Sequence, residues 1–280
     1  MSATYESNGA RLAYRDTGTG LPVVFLHPTP LDGEFWRPLI DNLTGVRAIV
    51  SDLRGHGKSD LGRLPVGGFD AVPDAPVLTM AQLAADVLAL LDHLNLPAAV
   101  FAGCSVGGYV LLELWRQAPE RMRGLAFVCS KPQPDAAANL ARRVASIEKF
   151  RADGSQTALR GMTQAQIKSL TGVTAFELDP EIVTQLNAQM TLTAEALIAV
   201  QAGLAARPDS VPTVATITAP VLAIAGGEDA GVTADEMEVF RAAPGGCEFH
   251  LLPDAGHFAA YEQPEKVAEL MGEWLRRFEG

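Results

Sequence analysis

Cysteine is scarce in this chain, with three residues in 280, at positions 104, 129 and 247. An odd number set in apolar stretches excludes a disulfide framework and fits a reducing compartment. Long apolar runs are lacking as well. None approaches the ~18 consecutive residues of a membrane span, so no transmembrane helix is expected. The opening residues, Met1 to Gly9, have neither the basic head nor the apolar core of a secretory signal, and the expectation is a cytoplasmic protein. Basic residues are also in short supply: 22 Lys and Arg against 33 Asp and Glu leave a net charge of -11. That balance argues against nucleic acid or an anionic membrane surface as partner and opposes the approach of polyanionic substrates. No internal repeat or low-complexity tract occurs.

Apolar residues make up 48% of the chain, enough at this length to bury a large core. Asn8-Gly9 is a tight-turn dipeptide between Thr4-Tyr5-Glu6 and Arg11–Arg15, so the chain is expected to open with a hairpin. Apolar strand-like runs follow at Val23–Leu26, Arg47–Ser51, Ala98–Ala102, Leu125–Val128, Val221–Ala225 and Glu248–Leu252, with helical patterns between them. One helix opens on Thr79-Met80-Ala81-Gln82, which has the spacing of a capping box. Strands alternating with helices predict an α/β fold, a mostly parallel sheet flanked by helices on both faces.

The alternation stops between Ser130 and Thr218, where alanine-rich helical patterns run over 139–150, 156–170, 180–190 and 194–204. We read residues 1–130 and 218–280 as the core and 131–217 as an inserted helical cap that excludes water and selects substrate. Met162, Leu170, Phe176 and Met190 are candidates to line a pocket beneath it, although most such residues are expected simply to pack the cap. The Pro- and Gly-bearing stretch 61–78 reads as an entrance rim or a surface loop.

Ser105 is the most informative residue. It lies in Gly103-Cys104-Ser105-Val106-Gly107, after a strand-like run and before a helical one. A serine on so sharp a strand-to-helix turn projects its hydroxyl, and side chains two residues either side would collide with the neighbouring strand and helix unless they were glycine. The rival nucleophile Cys104 has Ala102 and Val106 at those offsets and reads as a small core residue.

A serine nucleophile needs an imidazole base and a carboxylate to orient it. Of five histidines, His257 is the one downstream of Ser105 in a loop after a strand, where parallel sheets place their sites. His250 alternates within a strand, His93 rides a helix and His56 belongs to a glycine-rich turn. Asp229, after the strand run ending in Gly226-Gly227-Glu228, fits the chain order serine, acid, histidine, with Glu228 as its near rival. Asp254 reads as a cap of the His257 turn. For an oxyanion hole, the N–H of Val106 is one donor; in His27-Pro28-Thr29-Pro30 the prolines have no N–H, which leaves Thr29 as the other.

These residues, with Trp36 and the turn Asp52-Leu53-Arg54-Gly55-His56-Gly57-Lys58-Ser59, make the chain resemble α/β-hydrolases of the esterase and 3-oxoadipate enol-lactonase group. The likeness spans about Leu12 to Trp274 apart from the insertion. It implies the α/β-hydrolase fold and a serine hydrolase that cleaves a small-molecule carboxylic ester or lactone through an acyl-enzyme. Ser105, Asp229 and His257 would form the triad and Thr29 and Val106 the oxyanion hole, with no metal or organic cofactor. The Asp52 turn is structural in that group. Pro28 and Thr29 depart from the group's usual small and apolar residues. The same triad also serves perhydrolysis, C–C cleavage and amide hydrolysis, and the fold can serve a slow-turnover receptor. Oligomeric state is left open.

Overall fold

The computed structural model describes residues 2–278. Its chain opens with strands β1 (Ala3–Ser7) and β2 (Ala10–Gly18), joined at Asn8 and Gly9, both at positive φ as a two-residue hairpin turn requires. Six more strands follow: β3 (Leu21–Leu26), β4 (Val46–Ser51), β5 (Ala99–Cys104), β6 (Met122–Val128), β7 (Val221–Gly226) and β8 (Cys247–Leu252). They form one sheet in the order β1-β2-β4-β3-β5-β6-β7-β8, antiparallel at β1 and β2 and parallel from β4 to β8.

The inner strands β3, β5, β6 and β7 are apolar on both faces because both faces are covered. Val24, Leu26, Phe101 and Phe127 pack into one core with helices α2 (Met80–His93) and α3 (Val106–Gln117). Val23, Phe25, Val50 and Ile224 pack into a second core with Trp36 and Trp274, which lie beside the short helix α1 (Arg37–Ile40) and in the closing helix. Thr79 caps α2 by accepting from the Gln82 N–H at 3.1 Å, but the Gln82 side chain turns to Asp86 instead of back to Thr79, so only half of the capping box forms.

Between β6 and β7 the described residues form helices alone: α4 (Ala137–Ala152), α5 (Gln156–Leu170), α6 (Val173–Leu178), α7 (Ile182–Ala188), α8 (Ala194–Ala205) and α9 (Val211–Val214). The neck of this insertion is closed by Ser210 N–H donating to Pro132 C=O at 2.9 Å. The stretch 61–78 is not a rim of the cavity described below. Val72, Ala75, Val77 and Leu78 are buried, and Leu78 N–H donates to Ala199 C=O in α8, which ties the stretch under the insertion. After β7 come the short helices α10 (Ala234–Met237) and α11 (Ala259–Glu262), then α12 (Pro264–Leu275). No helix among the described residues is long and apolar enough to cross a membrane.

Candidate active site

Four loops at the carboxyl ends of β3, β5, β7 and β8 carry the candidate residues. β3 and β5 are neighbours although β4 lies between them in sequence, so the chain leaves them at a switch point of the sheet, where a crevice opens.

Ser105 sits after β5 at φ +50°, ψ −112°, a backbone conformation that L-residues avoid. The flanking glycines are demanded by contact. A Cβ on Gly107 would lie 2.1 Å from Leu26 O on β3, and one on Gly103 would lie 2.4 Å from the carbonyl carbon of Gly107. Bonds from Ser105 N–H to Val128 C=O (3.1 Å) and from Ser130 Oγ to Ser105 C=O (2.8 Å) hold the turn. Cys104 is fully buried and donates weakly to the His257 carbonyl, and burial pushes its thiol well above the ordinary range.

His257 Nδ1 lies 2.8 Å from Asp229 Oδ2 and 3.0 Å from Oδ1. Facing two carboxylate oxygens, Nδ1 carries the proton, which leaves Nε2 as the basic nitrogen. Asp229 is itself oriented by the N–H groups of Gly231 (2.7 Å) and Val232 (3.0 Å). Burial disfavours the imidazolium, but Asp229 and the nearby charge of Glu262 outweigh it and raise the His257 pKa above its ordinary value. Glu228, the rival acid, faces the insertion and accepts from Thr174 N–H (2.9 Å) and hydroxyl (2.7 Å). No hydrogen bond joins Ser105 to His257 among the described residues; such bonds commonly tighten only around substrate.

The loop after β3 is fixed by two neutral histidines. His27 Nε2 accepts from Leu53 N–H at 2.9 Å while its Nδ1 donates to Pro28 C=O, and burial lowers its pKa to about 4. His56, lowered to about 3 chiefly by burial, donates from Nδ1 to Arg54 C=O. Its Nε2 is therefore the acceptor for the Thr29 hydroxyl at 2.9 Å. That hydroxyl is committed as a donor to His56, whereas the Thr29 N–H has no acceptor among the described residues. The Asp52 turn is structural, as expected. Asp52 accepts from Gly33 and Lys58 N–H, and Arg54 forms a buried bidentate pair with Asp86.

Thr29, Ser105, Val106 and His257 line one cavity of about 620 Å³. Met162 and Leu170 line it as anticipated, whereas Met190 is buried in the core and Phe176 is exposed on α6. The cavity departs from the acidity of the whole molecule, since Lys131, Arg142, Arg143 and Lys149 face it with one acid, Asp135. Lys131 is paired with Glu236 and Arg143 with Asp135. Arg142 and Lys149 have no carboxylate within 4 Å among the described residues.

Residues 22–264 match the family described as alpha/beta hydrolase fold. The chain belongs to that family. A thermophilic esterase from Thermogutta terrifontis, in its malate-bound form, superposes with a TM-score of 0.86 at 32% identity, covering 99% of this chain and 98% of that one. Among curated proteins, 3-oxoadipate enol-lactonase 2 of Acinetobacter baylyi is 29% identical over 82% of this chain and 79% of its own length. The putative non-heme bromoperoxidase BpoC of Mycobacterium tuberculosis is 28% identical over 93% and 95%. As a member of the family the chain has that family's fold, with Ser105 on the turn between β5 and α3.

Two residues that touch this site were not singled out from the sequence as part of it. His56 was assigned to a turn, and it does shape one, but its ring also aims Thr29. Glu262 occupies the role expected of Asp254: it accepts from the N–H groups either side of His257, while Asp254 contributes only its carbonyl to Gln263. The Thr29–His56 contact joins residues 27 apart and no local pattern marks it, whereas Glu262 lies only six and four residues from Gly256 and Phe258.

Proposed function

We propose that the protein is a serine hydrolase of carboxylic esters or lactones. The observation that carries this reading is the convergence of Ser105, the Asp229-oriented His257 and the free N–H of Thr29 on one cavity. His257 Nε2 takes the Ser105 proton as Oγ attacks the carbonyl carbon. The N–H groups of Val106 and Thr29 donate to the resulting oxyanion. Collapse expels the alkoxide, which takes the proton from Nε2, and leaves the acyl-enzyme. Water, deprotonated by Nε2, then attacks the acyl carbon, and the serine leaves with that proton as the acid is released. In this reading the helical insertion, residues 131–217, acts as a cap that keeps bulk water from the acyl-enzyme.

Within that class the cavity favours substrates with a second, anionic group. Asn139, Arg142, Ser146 and Lys149 recur at helical spacing on one face of α4, and all four line the cavity. Their cations are poised to meet a carboxylate that the chain's net charge would otherwise repel. A second reading, perhydrolysis, is favoured by the likeness to a putative bromoperoxidase; hydrogen peroxide would then replace water in the second half-reaction.

Intact-mass spectrometry after exposure to a panel of small esters and lactones, neutral and carboxylated, tests the proposal. An acyl adduct on Ser105 is expected, formed fastest by carboxylated members. Turnover and adduct that both persist in Ser105→Ala would overturn it, and binding without turnover across the panel would point to a receptor. Peracid release in the presence of peroxide, exceeding acid release, would favour the second reading.

A further inference from the structure

Glu262 closes α11 and turns its carboxylate back onto the loop that carries His257. Oε2 accepts from Gly256 N–H at 2.6 Å and Oε1 from Phe258 N–H at 3.1 Å. The N–H between them, that of His257, donates to Leu170 C=O at the end of α5 at 2.9 Å. Oε2 also accepts from Gly172 N–H at 3.2 Å, where α5 passes into α6. Glu228 reaches the same junction from the β7 side through Thr174. The fit is tight on both backbones. A Cβ on Gly172 would lie 2.7 Å from Gly256 N and 2.8 Å from Glu262 Oε2, and one on Gly256 would lie 2.2 Å from Gly172 N.

A turn that needed only closing would bond within itself. Here three successive N–H groups of the histidine loop are held by a carboxylate and by a carbonyl of the insertion, and that carboxylate also holds the insertion. We infer that Glu262 is a positioning residue for the His257 imidazole, and that it sets the ring in register with the seating of the α5–α6 junction. The inference rests on the serine-hydrolase reading. The charged groups around the ring are Asp229 on one flank, Glu262 behind the loop and Lys131 across the cavity, with Glu228 turned to Thr174. Burial raises the Glu262 pKa against the opposing pull of its three backbone donors and the imidazole.

Steady-state kinetics of Glu262→Gln and Glu262→Asp over pH, on an ester that acylates Ser105, provides the test, with circular dichroism to check folding. Glu262→Gln is expected to lower kcat roughly 10- to 100-fold through a misplaced ring, with KM changed little. Its acid limb in kcat/KM moves to lower pH, because an anion that favours the imidazolium is gone. Glu262→Asp keeps the charge but shortens the reach, so the limb returns toward wild type while kcat stays low. Wild-type kcat and an unmoved limb in Glu262→Gln would overturn the inference. Should Glu262→Gln not fold, Gly172→Ala probes the same junction with the Glu262 carboxylate retained but pressed by the added Cβ, which also meets Gly256 N; reduced kcat supports the inference and wild-type turnover overturns it. Turnover retained in Ser105→Ala sinks the hydrolase reading, and the role of Glu262 with it.

Discussion

At the scale of single residues, the site is built from groups that cannot be exchanged for their neighbours. Ser105 and Cys104 are adjacent, yet one lines the cavity at a strained φ and the other is sealed in the core with its thiol raised by burial. Ser105→Ala is expected to cut kcat by several orders of magnitude with folding retained, while Cys104→Ala keeps most activity; organophosphonate labelling mapped by mass spectrometry checks the assignment. The two acids divide in the same way. Asp229→Asn should cost about 10⁴-fold in kcat, by analogy with the serine-protease aspartate, and Glu228→Gln far less, because Glu228 touches Thr174 and not the ring. Thr29 offers a finer test, since its hydroxyl serves His56 and its N–H, which has no acceptor among the described residues, is the donor proposed for the oxyanion. Thr29→Ala should lose less than about 10-fold and Thr29→Pro about 10²- to 10³-fold in kcat, provided a crystal structure of the proline variant shows the loop unmoved. The pH profile follows from His257. The working imidazole is neutral, and its pKa is raised above 6.5, so activity is lost on acidification beginning above that value. An acid limb in kcat/KM well below 6.5 would contradict the assignment.

At the scale of elements, each strand expected from apolar runs forms within three residues of its forecast ends, the largest difference being β6, which begins at Met122 instead of Leu125; burial on both faces of the inner strands leaves little freedom in where a β-run begins. The exceptions are informative. The stretch 61–78 shows no regular element beyond an isolated Val66–Pro76 bridge, and half of it is exposed, yet Val72, Ala75, Val77 and Leu78 are buried and a Cβ on Gly203 of α8 would lie 1.8 Å from Leu78 O. Its Pro and Gly content signalled irregularity but not burial, which depends on a helix more than a hundred residues away. Helix α4 illustrates the reverse case. Its pattern marked a helix, but that Arg142 and Lys149, both solvent-exposed, also line the cavity is set by packing against α8. Exchanging both for glutamine is expected to raise KM for carboxylated esters several-fold and leave neutral esters nearly unaffected, with the effect shrinking as salt rises. Equal KM changes for the two classes would remove the anionic subsite.

At the scale of the whole molecule, a buried ion pair knits the hairpin, the Asp52 turn and α2 together: Arg54 holds Asp86 and the Ser7 carbonyl. Asp86→Ala strands a buried guanidinium and should cost roughly 3–5 kcal/mol, measured by denaturant unfolding. The sequence by itself determined the alternating α/β order, the helical insertion and the tight strand-to-helix turn at Ser105, because periodicity and glycine spacing are local consequences of backbone sterics. It also nominated His257 and Asp229 from their places after strands, while leaving Glu228 as a rival. Only the tertiary structure set Asp229 against the His257 ring and Glu228 against Thr174, put Glu262 behind the imidazole, gave His56 its hold on Thr29 and lined a cavity of an acidic protein with four cations. Apart from the hold of Glu262 on Gly256 and Phe258, which spans only six and four residues, those outcomes depend on distances between segments far apart in the chain, and such distances are set by how the sheet orders its strands and how the insertion folds back over their ends.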